Sequence, residues 1–313
     1  MSVAERENRE AHSREIALVG LGAMGLPMAL NLLAAGHRVT SRSGDAGRTA
    51  RFAQAGGVVG ASWAEVLEGA DVVITVLPDG GVVRDLIDRP DGVAQHVPSG
   101  ALMIDMSTTS PQDARAVGAR CAELGIDFID APVSGGPARA GAGDLLVVVG
   151  ADDDAWAAAE DVLEVMASTL VRVGDAPGDG QAMKTVNQLL CGVHIAAAGE
   201  ALALARALGL DAEVALKALM SGAASSFMLG DRGPRMLQVY DEDAGGPHDV
   251  EVRATLNTFV KDMGIVSSAA KGAGLSTPVA AAAEQLYLQG AARGLGDRDD
   301  SSIIIVVAPP ERD

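Results

Sequence analysis

The chain has 313 residues, of which 48% are apolar, and carries a formal charge of −18. That length and apolar content can bury two cores and exclude a disordered or fibrous class, while the acidity argues against nucleic acid and anionic membrane surfaces, which need a positive footprint. No apolar run approaches the roughly 20 residues that span a bilayer, and the opening MSVAERENREAHSRE is too charged for a secretory signal, so a cytoplasmic protein with a frayed polar leader before Ile16 is expected.

From Ile16 to about Val173, short β-branched runs alternate with helical stretches. IALVG, DVVITVL, ALMID, DFID and LLVVVG read as strands, and AMGLPMALNLLAAG, SWAEVLEGA and PQDARAVGARCAELG carry helical periodicity. This alternation implies βαβ units and an α/β fold with a doubly wound, mostly parallel Rossmann sheet. The first strand runs into Gly20-Leu21-Gly22-Ala23-Met24-Gly25, a GxGxxG between strand and helix. Its first glycine permits a tight turn, its second a close approach of backbone to a pyrophosphate and its third close helix packing. The spacing therefore points to a dinucleotide site. About 20 positions further on, where an acid would take the ribose 2′-hydroxyl of NAD, the chain reads Ser41-Arg42-Ser43-Gly44, with no carboxylate before Asp45. Arg42 and Arg48 lie near enough to pair with a 2′-phosphate, which leans toward NADP over NAD; Asp45 serves instead if the second strand ends later.

DMSTTSP (105–111) and DAPVSGGPARAGAGDL (130–145) each follow a strand, where loops line the ligand crevice of such a sheet. Ser134-Gly135-Gly136 offers a hydroxyl and two unhindered N–H groups, which suit a carboxylate or form an ordinary turn. GDAPGDG then breaks the texture, and a domain boundary is expected near residue 175. Beyond it the sequence is helical and alanine-rich: one element from about Gly180 to Leu208, then pieces near 211–221, 231–239, 255–271 and 277–290. The closing SSIIIVV is open between a short strand and a tail packed on a neighbour. The expected organisation is a dinucleotide-binding domain over 14–175, an all-helical C-terminal domain over 176–300 for substrate and oligomer contacts, and a tail over 301–313.

Only four of the 24 basic residues are lysines: Lys184, Lys217, Lys261 and Lys271. Lysine can lose a proton when desolvated and arginine cannot, so a retained lysine is a candidate for proton transfer. Lys184, Asn187 and Gln188 stand at i, i+3 and i+4 on one helix face, and a lysine so near a helix start is disfavoured by the dipole. Lys261 and Asp262 raise the same question, with a surface ion pair as the plain alternative. Cys121 and Cys191 have no CxxC spacing, and the five histidines form no metal-ligand pair, so neither a disulfide framework nor a metal is indicated.

Taken together, GLGAMG, DMSTTSP, DAPVSGG, GDGQAMKTVNQ and FVKD resemble the 3-hydroxyacid dehydrogenase family, the group of 3-hydroxyisobutyrate dehydrogenases and tartronate semialdehyde reductases, from Ile16 to Val307. The resemblance implies a Rossmann domain, a helical C-terminal domain of the 6-phosphogluconate dehydrogenase type and a catalytic lysine, carried onto Lys184. It implies that Ser134, Gly135 and Gly136 bind the substrate carboxylate and that Asn187 and Gln188 hold substrate. Thr108 and Lys261 would line the cofactor side, to which Arg42, Ser43, Leu77 and Pro78 are also assigned. Ser43-Gly44 departs from the family's usual Asp or Asn-Arg at the end of the second strand. DRGPRML (231–237) and the terminal GDRDDSSIIIVV resemble the threonate or erythronate dehydrogenase branch.

The expected reaction is hydride transfer between a small hydroxy acid and NAD(P), with Lys184 exchanging the hydroxyl proton. A free lysine, with a pKa of about 10.4, is a poor base at neutral pH; burial in a cleft, a helix N-terminus and the positive nicotinamide ring would all lower that value. Two alternatives stand beside this reading. An imine reductase shares the architecture but generally lacks the lysine, and a non-catalytic dinucleotide-binding module would not need Lys184, Gln188 and the Ser-Gly-Gly loop together. The C-terminal part is too short for a 6-phosphogluconate dehydrogenase. Helices rich in Ala, Leu and Val on more than one face predict a homodimer or homotetramer.

Overall fold

The computed structural model describes residues 13–89, 92–240 and 250–309, so residues 1–12 of the expected polar leader and the last residues of the expected tail lie outside the described residues. The end of that leader is ordered, with Arg14 paired to Asp161 at 3.2 Å and Glu15 opening the first strand. The chain divides at Lys184/Thr185 into two compact units.

In the first unit β1 (Glu15–Val19), β2 (Arg38–Arg42), β3 (Val58–Val59), β4 (Val72–Thr75), β5 (Leu102–Asp105) and β6 (Asp127–Asp130) are parallel, in the spatial order β3-β2-β1-β4-β5-β6. β7 (Val133–Ser134) and β8 (Leu145–Gly150) extend the sheet antiparallel, and β9 (Ala167–Gly174) pairs parallel with β8. The chain reverses its winding between β1 and β4, and at that point such sheets open a ligand crevice. β4 and β5 are buried along their whole length, as expected of VVIT and LMID covered by helices on both faces.

The crossover helices start where short polar side chains take up their free N–H groups. Asp45 caps α2 (Ala46–Gln54), Ser62 caps α3 (Trp63–Leu67), Asp79 caps α4 (Gly80–Asp88), and Ser110 caps α5 (Pro111–Glu123) with proline in the first turn. α1 (Gly25–Ala34) differs: it has no side-chain cap and no acid in its first turn, so its positive end stays available. α6 (Gly136–Gly141) follows β7, and α7 (Asp153–Glu164) follows β8.

The second unit is helical. The long α8 (Asp179–Ala207) enters it and is followed by α9 (Ala212–Met220), α10 (Phe227–Gln238), α11 (Leu256–Gly272), α12 (Pro278–Ala292) and α13 (Ile303–Val307). The core includes Ile195, Leu202, Phe259, Met263 and Tyr287, with the Phe259 and Tyr287 rings stacked 5.4 Å apart. By length and mean hydropathy of 1.5, one window of α8 would suffice to cross a bilayer, yet half of that window is buried inside the protein, as in a core helix. SSIIIVV, left open between a short strand and a tail packed on a neighbour, forms no strand and packs into this chain's own helical core. It makes a single turn and then α13, with Ile303 and Ile304 wholly buried, so residues 301–307 belong to the helical core. Burial on several sides overrides the strand preference of its β-branched residues.

Candidate active site

β1 ends at the crevice. Gly20, at φ +112°, turns the chain so tightly that a Cβ there would lie 2.2 Å from the Val76 carbonyl oxygen, and one on Gly25 would lie 1.9 Å from the Gly20 carbonyl oxygen. Gly22 is different, because a Cβ at this position would meet nothing within 4 Å. Two of the three glycines are thus required by the protein's own packing. The middle one keeps clear the space in front of the uncapped helix, where a pyrophosphate would come to rest. Leu21 is buried, Ala23 is exposed, and Met24 is the residue before the first turn of α1. These residues fit a dinucleotide.

Across the crevice the Leu77 N–H donates to Ser107 Oγ at 2.9 Å, and Pro78 lies exposed beside it. The β2 end is equally definite. The Arg42 guanidinium lies 5.4 Å from the centre of the Trp63 ring, and Ser43 Oγ accepts the Asp45 N–H at 3.1 Å. Asp45 accepts the Arg48 N–H at 2.9 Å, which holds its carboxyl below the usual range, and it also pairs with the Arg48 side chain at 3.6 Å. β2 stops at Arg42, so Asp45 is the cap of α2 rather than the last residue of the strand.

Buried polar groups organise the ends of β4, β5 and β6. Thr75 Oγ1 donates to Asp105 Oδ1 at 2.8 Å, and that oxygen also accepts the Ser107 N–H at 3.1 Å. Gln181, in the first turn of α8, reaches the same loop: Oε1 accepts the Thr109 N–H at 3.1 Å, and Nε2 donates to the Ser107 carbonyl at 2.8 Å. The half-buried Thr108 is therefore fixed from both sides. Asp130, paired with Asp105 in strand register, accepts the Gly178 N–H at 2.8 Å and the Gln181 N–H at 2.7 Å. Burial pushes its carboxyl up to about 6 against these two donors, and the charge of Asp105 adds to the rise.

Four residues beyond Asp130, Ser134 is half-buried on β7, and Gly135 (φ +146°) and Gly136 (φ +73°) occupy backbone conformations that favour glycine. Lys184 lies three residues after Gln181 on α8 and is buried, with only 6% of its surface exposed. A turn later, Asn187 Nδ2 donates to Gln188 Oε1 at 2.9 Å and Gln188 Nε2 donates to Asp262 Oδ2. Asp262 is itself buried and its other oxygen lies 3.0 Å from Lys261 Nζ. The Lys261–Asp262 pair is thus no ordinary surface ion pair; it anchors Gln188.

Sequence reasoning passed over Asp130 and Gln181, and it raised Asp262 only as the partner of Lys261. The first opens DAPVSGG and the second stands one turn before Lys184, so each lay within a motif, but only the structure shows what they bind. DRGPRML and GDRDDSS also turn out to be joined. Arg232 Nη2 meets Asp300 at 2.9 Å, Arg235 Nε meets Asp299 at 2.9 Å, and Arg235 Nη1 donates to the Asp231 carbonyl at 2.9 Å. Arg235, Asp299 and Asp300 are buried, and burial pushes Asp300 up to about 6 against the pull of Arg232. These guanidinium groups already hold carboxylates of the protein, and their evident role is to fasten α10 to the start of α13.

Residues 15–174 match the NAD binding domain of 6-phosphogluconate dehydrogenase, and residues 178–307 match the NAD-binding region of NADP-dependent 3-hydroxyisobutyrate dehydrogenase. The chain belongs to the 3-hydroxyacid dehydrogenase family. It is 38% identical over 292 residues to L-threonate dehydrogenase of Cupriavidus necator, covering 93% of this chain and 95% of that one. The crystal structure of 3-hydroxyisobutyrate dehydrogenase from Salmonella typhimurium superposes with a TM-score of 0.85 at 32% identity, over 94% of this chain and all of that one. That of Mycobacterium tuberculosis 3-hydroxyisobutyrate dehydrogenase, with L-serine, gives 0.80 at 34% identity over 95% and 99%. Membership makes the protein an NAD(P)-dependent dehydrogenase, consistent with the fit of the glycine loop.

Proposed function

We propose that the protein interconverts a small 3-hydroxy acid and its oxo acid or semialdehyde, with Lys184 as the proton-transferring residue. The supporting observation is the burial of a lysine one helical turn beyond Gln181, which is bonded both to the loop carrying Thr108 and to the strand end that leads into Ser134-Gly135-Gly136. The bound nicotinamide supplies the hydride acceptor in oxidation and the donor in reduction. Ser134 Oγ and the N–H groups of Gly135 and Gly136 hold the substrate carboxylate. Asn187 and Gln188 orient the hydroxyl-bearing carbon. In oxidation Lys184 Nζ, as the neutral amine, takes the hydroxyl proton; in reduction the ammonium returns it. Residues 14–175 carry the dinucleotide in this reading, and the helical part carries Asn187, Gln188 and the oligomer contacts.

The substrate in this reading is a glycerate-like, 3-hydroxyisobutyrate-like or four-carbon sugar acid, and relatives named for L-threonate and 3-hydroxyisobutyrate support the reading. The cofactor is NADP in preference to NAD, supported by Arg42 stacked on Trp63 beside Ser43 and by the engagement of Asp45 as a helix cap. A homo-oligomer is supported by Met183, Val186, Leu190 and Leu204, which are exposed along α8, and by the exposed Leu208 just beyond its end. The test is a panel of threonate, erythronate, 3-hydroxyisobutyrate, glycerate and serine with each cofactor, on wild type and Ser43→Asp. Turnover of at least one acid, a larger kcat/KM with NADP and a swing toward NAD in the variant are expected. A panel without turnover would defeat the activity, and a wild-type preference for NAD would defeat the cofactor assignment.

A further inference from the structure

We propose that Asp130 is a positioning residue for Lys184, its carboxylate clamping the first turn of α8 to the end of β6 and, through Gln181, to the loop that carries Thr108. The inference rests on the reading of Lys184 as the proton-transferring residue. Helix starts ordinarily find an acceptor in a side chain close by in sequence. Here the acceptor comes from a strand end far upstream: Asp130 gives one oxygen to the Gly178 N–H at 2.8 Å and the other to the Gln181 N–H at 2.7 Å.

The surroundings are shaped to admit this carboxylate. A Cβ on Gly150 would lie 2.6 Å from Asp130 Oδ1, and one on Gly180 would lie 2.7 Å from the Asp130 carbonyl oxygen. Any larger residue at either place would push strand and helix apart. Gln181 then carries the restraint onward, since its backbone is held by Asp130 while its side chain holds the Ser107 carbonyl and the Thr109 N–H. Lys184 stands one turn further on the same face. The helix start, the end of β6 and the loop with Thr108 therefore form one rigid node, from which the lysine projects.

Asp130 has a second effect, through charge. A carboxylate at the start of α8 offsets the positive pole of the helix, which otherwise disfavours an ammonium in the next turn. The other charged groups facing this corner are Asp105 at the end of β5, Asp179 in the first turn of α8, and Arg115 of α5 beside Gly178. Asp105 and Asp179 are carboxylates already engaged, by Thr75 and Ser107 and by the Ala176 N–H respectively. Burial and Asp105 both disfavour the ionised form of Asp130, so a neutral residue would be easier to bury there; asparagine, however, presents an amide N–H₂ where one backbone N–H now finds an oxygen.

The experiment compares wild type, Asp130→Asn, Gln181→Met and Lys184→Arg by melting temperature, cofactor affinity, kcat and the pH dependence of kcat/KM for oxidation. Small misplacements of a reacting group cost up to about 100-fold, so a fall in kcat of about tenfold is expected for Asp130→Asn, with cofactor affinity retained. Loss of the charge should also lower the apparent pKa of the basic group by about half a unit, a shift that a purely structural role would not produce. Gln181→Met should lose kcat similarly with the apparent pKa unmoved. An Asp130→Asn enzyme with kcat within about twofold of wild type and an unmoved profile overturns the proposal. If that variant does not fold, Gln181→Met decides, and wild-type kcat in it overturns the node. Failure of the underlying reading looks different: Lys184→Arg would then stay active, whereas an inactive Lys184→Arg beside a normal Asp130→Asn removes only the role of Asp130.

Discussion

Replacing each glycine of the first loop with alanine separates the needs of the fold from those of the cofactor. At Gly25 the new methyl would lie 1.9 Å from the Gly20 carbonyl oxygen, and both partners are backbone, so no side chain can swing away. Overpacking of this kind costs about 1–3 kcal/mol, and a contact this short belongs at the upper end. At about 2–4 °C per kcal/mol in a protein of this size class, Gly25→Ala should melt about 6–12 °C lower. At Gly22 the methyl meets nothing within 4 Å, so Gly22→Ala should melt within about 1 °C of wild type. It fills the approach to the uncapped start of α1, however, and should weaken dinucleotide binding about 10–100-fold, or about 1.4–2.8 kcal/mol. Thermal melts without cofactor and fluorescence titrations with NADP and NAD read the two effects independently. If Gly22→Ala binds cofactor as wild type does, or loses as much stability as Gly25→Ala, the assignment of the loop is refuted.

Two further perturbations concern the buried ions of the helical unit. Asp262→Ala strips Gln188 and Lys261 of a buried acceptor, so a stability loss of about 1–3 kcal/mol should accompany a KM for the hydroxy acid raised about tenfold; an unchanged KM would detach Gln188 from substrate. Arg235→Met leaves Asp299 buried without its guanidinium and should cost about 3–5 kcal/mol with KM unchanged; a tenfold change in KM at an intact melting temperature would return DRGPRML to the substrate site.

The inner strands β4 and β5 were legible because they are apolar runs buried along their whole length, and the glycine loop because its spacing is dictated by backbone contacts that the structure reproduces at Gly20 and Gly25. The short or exposed β3, β7 and β9 carry no such run and were not read as strands. The helical face of Lys184, Asn187 and Gln188 followed from spacing alone. What escaped were side chains whose partners are remote in sequence. A Lys-Asp pair reads alike whether buried or exposed, so Asp262 gave no sign that it holds Gln188. Asp130 caps a helix that starts 49 positions later at Asp179, and no local pattern records such a bond. SSIIIVV stayed open for a related reason, since its β-branched residues favour a strand in isolation and only the surrounding core makes them a helix.

The most direct test of the account is kcat for Lys184→Arg, measured with the best acid from the panel alongside the wild-type pH profile for oxidation. Arginine keeps the charge and much of the reach but cannot give up a proton. A positioned acid–base group contributes about 10²–10⁴-fold, so the account predicts a fall of that order, unchanged cofactor affinity, and a wild-type rate that rises with pH through an apparent pKa below the ~10.4 of free lysine. A Lys184→Arg enzyme that keeps more than about a tenth of wild-type kcat would contradict it, leaving Lys184 as a binding residue only.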